Sequence, residues 1–251
     1  MNRWLVLVVL VLLVAAGGPT AIRAQEATPI AGAGAEELVL PPDAPAYGLT
    51  YAAWTARFAQ WAHSLPAAIN PASDATGERC GFGQAGPVFF LVQAGDEEAI
   101  ERTCTVPAGT ALLLPLLDAS CTTVEPPPFF GGDEAELRAC TEALFMAPAE
   151  LTAVVDGVAI PDLERYRIQS DLFTVALPAG NWLDVEPAVT QGVADGYWLL
   201  LAPLPVGEHE LRFGGSFPNS DFSTEVTYHL IVAEPVGTAP ANDIPAATPS
   251  A

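Results

Sequence analysis

Three successive segments near the end of the chain constrain the fold most. An apolar run at residues 196–201 is followed by a Pro/Gly turn, a second strand-like segment at 209–213, a Gly-rich loop and an alternating segment at 224–232. In the last segment every second residue is apolar, which is the period of a strand with one buried face. The pattern predicts three consecutive antiparallel strands and therefore a mainly β domain.

Upstream segments extend this prediction. Continuous apolar runs at residues 87–92 and 110–117 indicate buried strands, and Pro115 inside the second run predicts a bulge or an edge position. Asp156-Gly157 is a typical hairpin turn. The remaining predicted strands cover residues 102–106, 151–155, 158–161, 166–169 and 173–177.

A helix is predicted over Tyr51–Ser64, because Thr50 can cap its start and Pro66 prevents its continuation. Arg57 and His63 lie off its apolar stripe and are expected at the surface. The stripe is aromatic, and a face of this kind packs into a core more often than it binds a ligand, because exposing it costs free energy. Its members are Tyr51, Trp54, Phe58 and Trp61.

A second, short helix is predicted after Asp133, with Glu136 three residues later in a capping-box arrangement. The elements together predict an antiparallel β-sandwich with an N-terminal helix and one short inserted helix. The sandwich can be immunoglobulin-like or jelly-roll-like, and the pattern does not separate these two topologies.

The first 24 residues have the features of a secretory signal peptide. A short positive segment with Arg3 precedes an uncharged apolar run, and Ala24 offers a small residue for cleavage. An uncleaved anchor would need a longer apolar stretch. We therefore predict a signal peptide at 1–24, a flexible linker at 25–46, one domain at 47–233, and a disordered Ala/Pro/Thr tail at 234–251.

The charge of the chain limits its partners. The formal net charge is −21, and removing residues 1–24 takes away Arg3 and Arg23 but no acid, which leaves −23. Nucleic acid is therefore excluded as a partner, and an extracellular ligand or a cell-envelope component is expected instead. The sequence predicts no cofactor. Ca²⁺ is the one ion that the many carboxylates leave open, although no segment has the regular Asp spacing of an EF-hand loop.

The chain contains four cysteines, Cys80, Cys104, Cys121 and Cys140. An even number of cysteines in an exported chain predicts disulfides, and their wide spacing argues against a zinc site. Of the three possible pairings we favour Cys80–Cys104 with Cys121–Cys140, because both bonds close short loops.

Several ordered motifs stand out along the chain: W-x₆-W-A-H-S-L-P (54–66), D-x-T-G-x-x-C (74–80), Q-x-G-P-V-F-F-L (84–91), C-T-V-P-A-G-T (104–110) and A-D-G-Y-W-L-L-L (194–201). Together they resemble a family of exported bacterial proteins of unknown function, over most of residues 48–232. The resemblance implies that these segments form one domain, and it assigns no activity. The closing strands also resemble those of bacterial immunoglobulin-like domains, which indicates a sandwich but not a function.

Catalytic signatures are weak in this sequence. It has no G-x-S-x-G or H-E-x-x-H motif. His209 and His229 lie on strands that are expected to be neighbours, so a metal site with a carboxylate such as Glu208 is one hypothesis. Two ordinary strand histidines are the simpler interpretation, since no third ligand is identified.

Three residues are candidates for ligand binding. Asp74 and Gln84 lie in or beside a polar loop at 74–84, and Trp182 follows a turn as the best candidate for an exposed aromatic platform, with Tyr197 and Trp198 as weaker ones. For the loop, the alternative is a turn in which Asp74 bonds backbone N–H groups. We expect a secreted, non-enzymatic binding or structural module, and carbohydrate binding is the most specific version of this hypothesis. The alternative is a secreted hydrolase.

The signal-peptide prediction can be tested directly. Because a peptidase removes a cleavable signal sequence during export, the secreted protein should begin at Gln25. Intact-mass spectrometry of the secreted form should give the mass of residues 25–251, and retention of residues 1–24 would contradict the prediction.

Overall fold

A computed structural model describes residues 38–94, 99–145, 149–217 and 222–234. Within these ranges, ten strands form two five-stranded sheets, with helix α1 (Tyr51–Ser64) and helix α2 (Glu134–Leu144) packed against them. The mainly β sandwich with an N-terminal helix and a short inserted helix is confirmed. The strands are β1 (Val88–Phe90), β2 (Ile100–Pro107), β3 (Ala111–Thr122), β4 (Glu150–Val155), β5 (Val158–Ala159), β6 (Arg167–Gln169), β7 (Phe173–Leu177), β8 (Ala188–Leu201), β9 (Gly207–Ser216) and β10 (Ser223–Ala233).

The first sheet has the order β1-β3-β8-β6, with β7 also paired to β8, and the second has the order β2-β10-β9-β4-β5. Most pairings are antiparallel, as the sequence predicts. Two are parallel, β1 with β3 and β2 with β10. Side-chain alternation reports which face of a strand is buried, but it does not report the direction of the neighbouring strand, so the sequence pattern could not reveal these pairs.

Helix α1 begins and ends as its sequence predicts. The Thr50 side chain accepts a hydrogen bond from the Ala53 N–H at 3.1 Å, and the helix stops at Ser64, before Pro66. Its aromatic stripe is buried against the first sheet, where the ring of Phe58 lies 5.1 Å from that of Trp198. The stripe therefore forms part of the core and is not a ligand platform.

Both predicted disulfides are present, Cys80–Cys104 and Cys121–Cys140. The second joins β3 to α2, where Leu137 is fully buried beside it. Each bond restricts the unfolded chain and contributes about 3 kcal/mol to stability. The two bonds indicate an oxidising, extracytoplasmic environment.

Local turn chemistry also agrees with the sequence. The pairing of β3 with β8 shifts register between Pro115 and Leu117, which is the bulge that proline predicts. Asp156 and Gly157 both adopt positive φ in the β4–β5 hairpin. Glycine has no Cβ to hinder this conformation and aspartate tolerates it, so the turn fits a two-residue hairpin loop.

The ordered domain begins earlier than the predicted residue 47. Residues 38–40 pair with the end of β8 through two backbone hydrogen bonds, Leu40 N–H to Leu200 O and Ala202 N–H to Leu38 O, both 2.8 Å. Leu38, Val39 and Leu40 pack on the core, which explains why this part of the predicted linker is fixed. The predicted signal peptide at 1–24, residues 25–37 and the predicted tail after residue 234 lie outside the described residues. No helix in the described part of the chain is long and apolar enough to cross a membrane.

Arg102 on β2 connects the two sheets. Its side chain is buried, and its guanidinium donates to three backbone carbonyls, those of Asp74 at 2.7 Å, Val92 at 2.9 Å and Gln93 at 2.9 Å. It also donates to the Tyr228 hydroxyl at 3.1 Å and lies over the Tyr228 ring. The hydroxyl of Tyr228 in turn donates to Val92 O. Arg102 therefore fixes the segment after β1 to the second sheet.

We predict that Arg102→Met lowers the free energy of unfolding by about 3 kcal/mol, because it leaves several buried carbonyls without a donor. Chemical denaturation measures the change. Arg212→Met is the matched control, since Arg212 is exposed and its ion pair with Glu225 is long, at 3.9 Å. The control should change stability by less than about 0.5 kcal/mol, and equal losses in the two variants would contradict the role of Arg102.

Candidate functional site

A cavity of about 570 Å³ lies between helix α1 and strand β3. Its other walls come from residues 92–94, 144–145 and 182–183 and from single residues of β8 and of neighbouring connections. Most of its lining is apolar, and we call its six aromatic side chains the aromatic lining: Phe58, Phe129, Phe145, Trp182, Phe217 and Phe222. Three of them, Phe129, Trp182 and Phe222, are also solvent-exposed, so they mark the opening of the cavity.

The polar side chains of the cavity wall are His63, Gln93, Asp118, Ser120 and Glu125. Gln93 Nε2 is buried and has no hydrogen-bond partner among the described residues. An unpaired buried amide N–H is costly, and because this nitrogen has almost no accessible surface, a molecule in the cavity does not reach it in this structure. The cavity thus combines apolar walls with a few polar groups, which is the usual composition of a small-molecule site.

Three of these groups form a hydrogen-bonded chain. The indole N–H of Trp182 donates to His63 Nδ1 at 3.0 Å, and His63 Nε2 lies 3.1 Å from Ser120 Oγ. An indole can only donate, so Nδ1 must be the unprotonated nitrogen and Nε2 must carry the proton. His63 therefore donates to Ser120 and cannot accept the serine proton from this tautomer. This is the reverse of the arrangement in a serine hydrolase.

His63 is buried, so the prediction that it lies at the surface is wrong. The helical stripe placed it off the aromatic face, but loop residue Trp182 and strand residue Ser120 cover it from the other side. Its ring lies nearly parallel to that of Phe173, with centroids 5.9 Å apart. Burial lowers the pKa of His63 to about 4, so the ring is neutral at physiological pH.

Trp182 lies where the sequence analysis expected an exposed aromatic, with 46% of its surface accessible. Its N–H edge is held by His63, and the two rings are inclined by only 19°. Because the hydrogen bond lies in the indole plane, it fixes the ring's orientation without covering its faces. Tyr197 and Trp198 are buried, which removes them from any surface platform.

Two carboxyl groups face the cavity, and the sequence analysis identified neither. Asp118 follows the apolar run of β3, and Glu125 lies in the loop after it. Burial raises the pKa of each to about 7, and for Glu125 a hydrogen bond from Thr122 Oγ1 partly opposes the shift. The position of Asp118 directly after the apolar run of a core strand is a pattern that indicates a partly buried acid. With thirty acids in the chain, this pattern does not single out Asp118.

Asp74 is structural. Its carboxylate accepts hydrogen bonds from the backbone N–H groups of Thr76 at 2.9 Å and Arg79 at 2.7 Å, and from the Thr76 hydroxyl at 2.8 Å. Burial alone would raise the pKa of Asp74, but these bonds outweigh it and the pKa is lowered. The carboxylate is thus used within its own turn, and the ligand-binding hypothesis for Asp74 is not supported.

Gln84 is used in a similar way. Its amide nitrogen donates to Cys80 O at 3.0 Å and to Phe90 O at 2.8 Å, and its carbonyl accepts from Phe90 N–H at 3.0 Å. The side chain takes the place of a neighbouring strand along β1. Gln84 does not line the cavity, so the structure does not bring Asp74, Gln84 and Trp182 together as one site.

His209 and His229 lie on neighbouring strands but on opposite faces of the second sheet. His209 is buried, with Nδ1 2.8 Å from Asp156 Oδ2 and Nε2 2.9 Å from Pro205 O. His229 is on the exposed face, paired in register with Glu210. Leu230, not His229, stands opposite His209, so the one-residue offset places the two rings on opposite faces of the sheet, as expected for two ordinary strand histidines.

No group of three or more His, Cys, Asp or Glu side chains in the described ranges is arranged to hold a metal ion. The described residues therefore show neither a zinc site at the histidines nor the Ca²⁺ site that the acidic composition left open.

Comparisons with known proteins add little. No model of a known protein family matches the chain, and no curated protein matches it. A search of solved structures finds a cysteine protease inhibitor from Entamoeba histolytica, 11% identical, which covers 58% of this chain and 96% of its own, with a TM-score of 0.22. A likeness this weak supports no conclusion about fold or function.

The buried His63 predicts a pH-dependent stability. An unfolded histidine has a pKa of about 6.5, so between about pH 6.5 and about pH 4 only the unfolded chain takes up this proton. The contribution of His63 is fully present above this window and is lost as the pH falls through it. From about pH 7.5 to about pH 4, the unmodified protein should lose about 3 kcal/mol more than His63→Gln.

Urea denaturation across this pH range measures the difference. Asp118 and Glu125, whose raised pKa values give the opposite trend, are present in both proteins, so their effects cancel in the comparison. Identical pH profiles for the two proteins would show that His63 does not remain neutral in the folded state.

Proposed function

We propose that this protein is a secreted, non-enzymatic binding module and that its ligand site is the cavity between α1 and β3. The observation that carries the proposal is the cavity itself, about 570 Å³ of space with apolar walls and five polar side chains. Its volume falls within the range of small-molecule sites. Export by the signal peptide at residues 1–24 belongs to the same proposal, and the two disulfides support it.

The energetics favour a bound ligand. Phe129 and Trp182 expose 39% and 46% of their surface at the opening of the cavity. Apolar surface in contact with water is costly, and a small molecule with an apolar body would cover these two rings.

The cavity walls are rigid enough to be preformed. Arg102 and Tyr228 hold residues 92–93 on one side, and the Trp182–His63–Ser120 chain joins a loop, α1 and β3 on the other. A preformed site avoids the ordering cost that a flexible surface pays on binding. The hydrogen bonds that stabilise the fold here also hold the cavity walls in place before a ligand binds, which supports a binding role for the cavity.

The hydrolase alternative has less support. The one serine–histidine contact in the cavity has its proton on the wrong nitrogen, since Trp182 occupies Nδ1 where a catalytic carboxylate would stand. The neutral imidazole of His63 is also too weak a base at its lowered pKa to serve near neutral pH. We therefore keep the hydrolase only as an outcome of the activity test.

Carbohydrate binding is a second form of the module. Trp182 supports it, because an exposed and oriented indole can stack on a sugar ring. The rest of the cavity does not favour it, since a sugar carries many hydroxyl groups and the wall offers few polar partners. A small molecule with an apolar body fits the lining better.

The neutral fluorophore N-phenyl-1-naphthylamine tests the proposal, because its emission rises when it enters an apolar site. The unmodified protein should bind it with one-to-one stoichiometry. Ala119→Phe adds a ring to the β3 wall and should weaken binding by about tenfold or more, since the fluorophore and the new ring compete for the same volume.

Val189→Phe is the matched control, because Val189 is 73% exposed on β8 and does not line the cavity. It should bind the fluorophore like the unmodified protein, and circular dichroism should show both variants folded. Equal binding by both variants would contradict the cavity as the site. Turnover of ester, peptide or polysaccharide substrates that Ser120→Ala abolishes would replace the module by the hydrolase.

A further inference from the structure

The charge of the cavity wall has only one sign. Its titratable side chains are His63 from α1, Asp118 from β3 and Glu125 from the following loop, and no arginine lines it. The chain contains no lysine at all. His63 is neutral near pH 7 because burial lowers its pKa to about 4. Any charge that the wall carries near neutral pH is therefore negative.

Asp118 is the least satisfied of these groups. It has no hydrogen-bond or ion-pair partner among the described residues, whereas Glu125 accepts a hydrogen bond from Thr122 Oγ1 at 2.9 Å. Burial without compensation raises the pKa of Asp118 to about 7. Near neutral pH a large fraction of the Asp118 and Glu125 side chains is therefore ionised, and no cationic side chain lines the cavity beside them. An ionised carboxylate without a nearby cation is unfavourable when it is partly buried.

The aromatic lining favours the same kind of ligand. The face of an aromatic ring carries a negative partial charge and attracts cations, most strongly where water is excluded. Phe58 and Trp182 therefore add to the attraction that Asp118 and Glu125 exert, whereas the ring of Phe145 already lies under the guanidinium of Arg167. An anionic ligand would face two carboxyls and no cationic side chain in this wall, since His63 is neutral near pH 7.

We propose that the cavity binds an organic cation, an ammonium group carried on an apolar alkyl or aryl body, with Asp118 as its counter-ion. This inference rests on the proposed function, because it names the ligand class of the same cavity. The ammonium group pairs with Asp118 and the ring faces, while the apolar body covers Phe129 and Trp182 at the opening of the cavity.

An inorganic cation fits the cavity poorly. Ca²⁺ needs six or more oxygen ligands, and the described residues contain no group of three metal-binding side chains. Ring faces cannot replace the oxygen ligands of a strongly hydrated ion. An alkylammonium ion is more weakly hydrated and loses less on entering an apolar site, so the combination of few carboxyls and many rings selects it.

A charge series with one alkyl chain tests the proposal. Octyltrimethylammonium, octan-1-ol and octanoate, all below their micellar concentrations, are titrated against the bound N-phenyl-1-naphthylamine at about pH 8. The cation should displace the fluorophore at about tenfold lower concentration than the alcohol, and octanoate should be the weakest. The quaternary ammonium does not titrate, so any change in its affinity with pH reports the protein.

The pH dependence follows from the carboxyls. At about pH 5.5 Asp118 and Glu125 are mostly protonated and His63 is still neutral, so the advantage of the cation over the alcohol should largely disappear. Binding of the cation near pH 7 should also release protons, because it favours the ionised carboxyl. Calorimetry in two buffers of different ionisation enthalpy measures this release.

Asp118→Asn should abolish most of the preference for the cation over the alcohol, with both compounds titrated against the fluorophore bound to the same variant. Glu125→Gln should reduce the preference less, because Glu125 already has a hydrogen-bond partner. Glu208→Gln is the matched control, since Glu208 is exposed on the other sheet and does not line the cavity. Asp118→Asn should fold well at about pH 8, because it removes a carboxyl whose ionised form is destabilised by burial.

The outcomes separate the two proposals. Displacement at similar concentrations by all three compounds, or preference for octanoate, would overturn the organic-cation inference and leave the binding cavity standing. A preference for the cation that persists in Asp118→Asn or at about pH 5.5 would remove Asp118 as the counter-ion. Absence of fluorophore binding in the unmodified protein would instead contradict the proposed function itself.

Discussion

The buried guanidinium of Arg102 is the interaction on which the rest of the structure depends. It lies on the second sheet and binds carbonyls of the segment that leaves the first sheet, at Val92 and Gln93, and of the loop at Asp74. No carboxylate pairs with it among the described residues; its Nε and Nη1 groups donate to carbonyls and to the Tyr228 hydroxyl, its charge lies over the Tyr228 ring, and its Nη2 has no hydrogen-bond partner in the described ranges. The two sheets and one wall of the cavity are therefore positioned by the same side chain.

The opposite wall of the cavity is held by the hydrogen bonds that join Trp182, His63 and Ser120 among apolar side chains. Trp182 fixes the tautomer of His63, and His63 in turn donates to Ser120, so a loop, a helix and a strand are joined by two directional bonds. A donor-only indole at Nδ1 also explains chemically why a buried histidine next to a serine does not make a nucleophile here. This arrangement favours ligand binding over catalysis.

The charge distribution gives the molecule two different acidic surfaces. Most acids in the described ranges are exposed to solvent, where they are hydrated and increase solubility. Asp118 and Glu125 instead face apolar space, where an ionised carboxyl is expensive unless a cation accompanies it. The chemical difference between these two groups and the other acids arises from burial, because the side chains themselves are identical.

The sequence by itself determined the elements that local patterns encode. The caps of α1 and α2, the bulge at Pro115, the Asp156-Gly157 turn and the burial alternation of β10 all depend on residues within a few positions of one another. The two disulfide pairings were also predicted, because short loops were the simplest choice.

Only the tertiary structure decided where the chemistry lies. His63 meets Ser120 across 57 positions and Trp182 across 119, and the parallel pairing of β2 with β10 joins residues more than a hundred positions apart. A one-residue register offset separated His209 from His229. Such contacts depend on the packing of distant elements, which side-chain periodicity does not encode, so Trp182 was anticipated as exposed while its partners and the carboxyls of the cavity were not.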